Sequence, residues 1–284
     1  GGGNEVAGVV RQQLADPALS AARKLVLAEL LAHIGNSADA AHALKLAATH
    51  PPVLRALVNA ANERNLQAPA DAVGLLAAPL WLLETRVEAV RLIGAWKLNA
   101  NAEVIRMFAA EKTQPHASRV AAAEALGQLN SPKSAETLAA LVTLNTAADL
   151  RAAALGSLAT HDVARAAQLT AGLANQVKPA ELGPLLAALL QRTAGANALT
   201  EALAKTKVSA DTAKLMLRWL NAAGRVEPKL SAALNKLIGA QSVAPVYSAE
   251  FVAALAKEAL AKGDAANGKK VFQLPLASCT ACHA

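Results

Sequence analysis

From about residue 20 onward, apolar residues recur at intervals of three and four with small and charged residues between them. That is the spacing of an amphipathic helix, not the alternation of a strand. Arg86-Val87-Glu88-Ala89-Val90-Arg91-Leu92-Ile93-Gly94 and Arg119-Val120-Ala121-Ala122-Ala123-Glu124-Ala125-Leu126-Gly127 carry the pattern most plainly. Each ends on two apolar residues and a glycine, which predicts a helix closed by a left-handed C-cap. His50-Pro51-Pro52, Lys112 to Pro115 and Lys178-Pro179 predict loops, because proline stops one helix or opens the next. Ser131-Pro132, Asp149 and Ser209-Ala210-Asp211 supply N-cap or first-turn residues ahead of apolar-periodic stretches. Gln241 to Val246 reads as a boundary. After it, Ser248 to Lys262 predict one more amphipathic helix, with Phe251, Leu255 and Leu260 apolar and Lys257, Glu258 and Lys262 exposed. The expected fold class is all-α.

The helical pattern repeats. Leu31-Ala32-His33-Ile34-Gly35, Arg91 to Gly94, Ala125 to Leu129, Ala154 to Leu158 and Leu237-Ile238-Gly239 share the apolar-apolar-Gly ending. The intervals are roughly 30 residues or multiples of it, enough for two short antiparallel helices and their turns. A unit of that size cannot bury its apolar face alone, so neighbours must stack into an α-solenoid. The pattern resembles HEAT-type repeats, particularly bacterial forms reading Arg-x-x-Ala-x-x-Ala-Leu-Gly, over residues 20–240 and most strongly over 85–160. The expected organisation is a HEAT-like helical repeat domain at 1–245, a connecting or capping helix at 246–262, and a separate segment at 263–284.

Composition agrees with helix: 54% of the 284 residues are apolar and only 2% aromatic, with alanine and leucine dominating. Every apolar stretch is interrupted by a charge before it reaches the length of a membrane span, so none is expected. The chain opens on Gly1-Gly2-Gly3-Asn4 without an initiator Met or a signal peptide, and the expectation is a piece of something longer. Its net charge of +7 permits nucleic acid. The positives read as dispersed and unaccompanied by exposed aromatics, however, so no nucleic-acid partner is expected.

The last residues carry the chemistry. Cys279-Thr280-Ala281-Cys282-His283 is the attachment signature of a c-type haem, in which both thiols bind the porphyrin covalently and the adjacent imidazole ligates the iron. These are the chain's only two cysteines. A redox dithiol or half of a zinc site shares the Cys-x-x-Cys spacing. Zinc, though, needs two further ligands, and a thioredoxin-type dithiol normally opens a helix in a βαβ setting that the surrounding pattern lacks.

Just upstream, Gly263-Asp264-Ala265-Ala266-Asn267-Gly268-Lys269-Lys270-Val271-Phe272 resembles the first helix of class I cytochromes c, with Gly268 and Phe272 at the positions that face the closing helix, which implies that 263–284 is the N-terminal, incomplete part of a cytochrome c domain. The connection from Gln273 to Ser278 is longer than in mitochondrial cytochromes. The order of repeats, Gly-Lys-Lys-Val-Phe and haem motif resembles the C-terminal part of the large haem-binding, membrane-bound dehydrogenase-like proteins of planctomycetes and their relatives. That resemblance implies one covalent haem c held by Cys279 and Cys282, with His283 as proximal iron ligand. It also implies electron transfer from an upstream dehydrogenase domain or a redox partner, and a periplasmic or other extracytoplasmic location. Lys262, Lys269 and Lys270 would steer an acidic redox partner. The alternative expectation is a protein-binding scaffold whose concave face holds a partner, with no working haem; a third is thiol-disulfide exchange at the two cysteines.

Other candidates are weaker. His33, His42, His50, His116 and His161 show no metal-ligand or carboxylate spacing and read as surface or packing residues, and Met107, Met216, Trp81, Trp96 and Trp219 read as core. No glycine-rich phosphate loop, Ser/His/Asp arrangement or paired carboxylates suggest a catalytic centre.

Overall fold

The computed structural model describes residues 2–129, 131–239 and 248–273. The chain is all-α: eighteen α-helices and one short 3-10 turn, with no strand among the described residues. It falls into two compact units, Gly1–Gly239 and Ala240–Ala284.

The first unit begins with α1 (Gly2–Leu14), α2 (Ala21–Ile34), α3 (Ser37–Ala47) and α4 (Pro51–Glu63). An irregular stretch follows, holding only the short α5 (Ala72–Leu75) and α6 (Ala77–Trp81). Next come α7 (Leu83–Ala95), the 3-10 turn Asn99–Asn101, α8 (Ala102–Ala110), α9 (His116–Leu126), α10 (Pro132–Leu141), α11 (Ala148–His161) and α12 (Val163–Leu173). The unit closes with α13 (Pro179–Leu190), α14 (Gly195–Lys205), α15 (Ala210–Ala222) and α16 (Pro228–Ile238). The starts follow from local chemistry. Prolines occupy the first turns of α4, α10, α13 and α16, where a missing N–H costs nothing, and Ser20, Asn36, Asp162 and Ser209 accept first-turn N–H groups.

Two rows of helices share one core. In one row α2, α4, α7, α9, α11, α13 and α15 pack each on the next, and in the other α8, α10, α12, α14 and α16 do so. Helices of opposite rows pack where the chain turns, as in α8 on α9, α10 on α11 and α15 on α16. The interior is alanine and leucine, with Phe108 its largest fully buried side chain.

The glycines that end the sequence pattern work differently from expectation. Gly94 and Gly156 lie inside their helices and Gly127 caps α9 in the right-handed region; only Gly239 is left-handed, at φ 73°. Close approach explains Gly94 and Gly127, while a Cβ on Gly156 would meet Ala188 only in ordinary contact at 3.5 Å. A Cβ on Gly94 would fall 2.9 Å from Ala125 Cα, one on Gly127 2.8 Å from Ser157 Cβ, and one on Gly183 2.7 Å from Trp219 Nε1. The steps α7 on α9, α9 on α11 and α13 on α15 are therefore seated glycine on neighbour. The left-handed turn that ends α4 and α7 is taken instead by Asn65 (φ 56°) and Lys97 (φ 53°).

Two core expectations also change. Trp96 and Met216 are buried, but Trp81 is 57% exposed and Met107 40% exposed. Trp81 ends α6 in the irregular stretch, and its ring meets that of Phe108 edge to face, at 5.4 Å between centroids. Met107 sits one position off the stripe Ala102, Ile105, Phe108, Ala109 that α8 buries.

Polar side chains tie successive helices of the α2 to α15 row together. The C-terminal carbonyls of one helix are met by donors from the end of its neighbour: Arg64 donates to Gly35 O (3.2 Å), Trp96 Nε1 to Leu66 O (2.9 Å), Thr160 to Gly127 O (2.8 Å), His161 Nε2 to Leu126 O (2.8 Å) and Arg225 to Leu190 O (2.7 Å). Early in the row helices, arginines reach back to the preceding turn. Arg86 donates to Leu80 O, Trp81 O and Gln114 Oε1, Arg119 to Ala109 O, and Arg151 to Thr146 O.

In the second unit, α17 (Ala249–Lys262) and α18 (Ala265–Gln273) are described. Ser248 accepts the Phe251 N–H and starts α17, and the Asp264 carboxylate accepts the N–H groups of Ala266 and Asn267 and starts α18. Neither helix buries a residue, and Leu260 is 89% exposed.

Candidate functional site

One feature of the first unit able to hold a partner is a furrow along the row that contains α4 to α15. A hollow of about 310 Å3 lies between Asn62 of α4, Arg91 of α7 and Glu124 and Gln128 at the end of α9. Glu124 and Gln128 also wall the next hollow, of about 600 Å3, which crosses α11 at Asp149, Gly156 and Thr160 and reaches Pro184 and Arg192 at α13. Pro184 in turn borders a third, of about 320 Å3, against Leu215 and Trp219 of α15. The shared walls make one continuous furrow over six helices, roughly 45 Å at about 9 Å per helix spacing. Ala152, Ala153, Gly156, Ala187 and Ala188 form part of its lining, and these small side chains leave room between the helices.

Ion pairs cross the row at the period of the repeat. Arg55 Nε lies 3.2 Å from Glu88 Oε1, Arg91 Nη1 3.7 Å from Glu88 Oε2, and Arg91 Nε 3.9 Å from Glu124 Oε2, so one alternating chain of charge links α4, α7 and α9. His116 Nε2 meets Asp149 Oδ2 at 2.6 Å between α9 and α11. The buried Arg151 meets Glu181 at 3.2 Å between α11 and α13. The hydrogen bond from His116, with further help from the Leu150 N–H, holds the Asp149 carboxyl below its ordinary range. His116 therefore does have a carboxylate partner, 33 residues away, where local spacing does not reveal it. Opposite charges one repeat apart, as in Arg55 and Glu88 or His116 and Asp149, are the signal that would have found these ties. Among the described residues no three His, Cys, Asp or Glu side chains cluster as a metal site.

Cys279, Cys282 and His283 lie outside the described residues. What is described is the helix that precedes them. On α18, Gly268 and Phe272 stand four residues apart and so share a face. A Cβ on Gly268 would meet nothing within 4 Å, and Phe272 is 41% exposed. Lys269 and Lys270 lie on the same helix, and Lys262, which ends α17, pairs with Glu258 at 3.2 Å. No described helix is long and apolar enough to cross a membrane.

No family model, curated protein or solved structure matches the chain.

Proposed function

We propose that the chain carries one c-type haem, bound covalently by Cys279 and Cys282 with His283 as proximal ligand to the iron, and that it transfers electrons beside a HEAT-like solenoid. The observation that carries this reading is the motif itself: the chain's only two cysteines stand at the attachment spacing with histidine directly after. The donor set fits the group. Two thiols can each add across a vinyl double bond without an oxidant, and a neutral imidazole is a good axial ligand for iron. The face of α18 that bears Gly268 and Phe272 supports the reading as well, because a glycine with open space above it, four residues from a large aromatic, is what a closely packed closing helix would require. When bound, haem supplies a one-electron couple. This chain's residues would fix it covalently, ligate its proximal side, and present Lys269 and Lys270 to an acidic donor or acceptor, whether an upstream dehydrogenase domain or a separate redox protein. Because haem is attached outside the cytoplasm, a periplasmic or other extracytoplasmic location belongs to the same proposal.

The solenoid part rests on the two rows of helices and on the repeat-period ties along the first of them. The test is a pyridine haemochrome spectrum of the protein made with haem-attachment machinery. A c-type band that stays with the denatured polypeptide, and is lost in C279S/C282S, is the expected result. No band, with both thiols open to an alkylating reagent, would remove the electron-transfer reading. The scaffold reading would then lead, since the continuous furrow from α4 to α15 is an observation that favours it.

A further inference from the structure

The basic charge is not spread evenly. Residues 200–239 hold seven Lys and Arg against three Asp and Glu, more than half of the chain's +7. Much of it surrounds one cleft of about 610 Å3 between α14 and α16, rimmed by Lys205, Lys207 and Lys236 and floored by Leu203 and Leu237. All three lysines are exposed, and none takes part in an ion pair among the described residues. Elsewhere lysines do pair, Lys45 with Asp71, Lys214 with Asp211 and Lys262 with Glu258.

The plain account is that these lysines offset helix dipoles, since Lys205 and Lys236 fall in the last turns of α14 and α16. Two helix ends carry roughly half a negative charge each, so three lysines leave a surplus of about two positives at the mouth of the cleft. A compact phosphate fits poorly. The lining has no arginine fork, and the Thr200 hydroxyl donates to Ala196 O at 2.8 Å. Separate cations around a leucine floor suit several carboxylates flanking an apolar side chain.

We propose that this cleft docks an acidic peptide segment of a partner protein, its carboxylates on Lys205, Lys207 and Lys236 and one apolar side chain on Leu203 and Leu237. The site shares no residue with the haem motif, so this proposal and the haem reading stand or fall separately. The test uses the full chain and a fluorescein-labelled peptide of alternating glutamate and leucine, followed by anisotropy. Binding should weaken as salt rises. It should fall at least about tenfold in K205E/K207E/K236E and stay within about twofold in K112E/K133E/K178E, which makes the same charge change at exposed lysines elsewhere. Circular dichroism confirms that both variants keep their helix content. Equal binding by the first variant, equal loss in the second, or equal affinity for the peptide with glutamine in place of glutamate would overturn the proposal. So would a fatty-acid carboxylate that depends on the three lysines while the peptide fails to bind.

Discussion

Gly127 shows how much a single missing Cβ decides. Its place in the sequence pattern was plain, but the pattern suggested a left-handed turn, and the structure gives it a different task. The position lies against Ser157, where an added Cβ would come within 2.8 Å of that residue's Cβ and Oγ. Neither α9 nor α11 can yield easily, because each is packed on both sides. Gly127→Val should therefore destabilise the protein by about 2 kcal/mol or more, read as a lower urea midpoint. Gly172 on α12 has nothing within 4 Å of a Cβ, so Gly172→Ala should be neutral or slightly stabilising and serves as the control. Close approach is a property of two helices, so the sequence of one could mark the glycine without giving its reason. The Asp149 carboxylate was legible only as a first-turn residue, and its partner came from the stacking of α9 on α11. With its pKa held below the ordinary 3.8, Asp149 binds a proton less readily folded than unfolded. Its contribution is whole above about pH 4 and is lost as the pH falls through the folded value. Both side chains are largely exposed, which keeps the contribution under about 1 kcal/mol. Urea midpoints of wild type and D149N should differ at pH 5, and the difference should shrink as the pH falls below 3.8. A constant difference across that range would show that the pair does not act through the carboxylate charge.

Helices were the most legible elements because periodicity, prolines and caps agreed. The prolines at α4 and α13 and the serine at α15 mark starts where expected. Less legible was the stretch between α4 and α7, where Pro69 and Pro79 break the pattern and only α5 and α6 form. There the chain gives up regular backbone bonding, and Arg86 replaces some of it. Its guanidinium donates to two carbonyls of that stretch and to Gln114, and lies 5.0 Å from the centre of the Phe108 ring. Arg86→Met keeps much of the volume over Phe108 but leaves those acceptors without a donor. We expect a loss of about 2 to 4 kcal/mol in unfolding free energy. Arg119→Met gives up one backbone bond and should cost about 1 kcal/mol. Similar losses in the two variants would mean that the irregular stretch does not lean on Arg86.

At the scale of the whole molecule the two units have different needs. In the first, helices of both rows share one core, and a helix buried on several sides opens only with that core. In the second, α17 and α18 bury no residue at all, although Phe251, Leu255 and Phe272 give them apolar faces. Helices of 14 and 9 residues that bury no side chain are marginal in water, because nucleation is costly and few hydrogen bonds repay it. The Cys-x-x-Cys-His spacing stands in five residues of the sequence, Cys279 to His283, outside the described residues. Whether the preceding helix is covered was not legible, because covering depends on groups beyond its own sequence. Hydrogen exchange read by mass spectrometry separates the cases. Without haem, the amides of α17 and α18 should be protected less than about tenfold, against several orders of magnitude for α9, α11 and α13. If haem is attached at Cys279 and Cys282 and a closing helix seats on Gly268 and Phe272, protection should rise in α18 while α9, α11 and α13 stay unchanged. Unaltered exchange in α18 after covalent haem loading would mean that its apolar face serves a partner other than the haem-bearing fold.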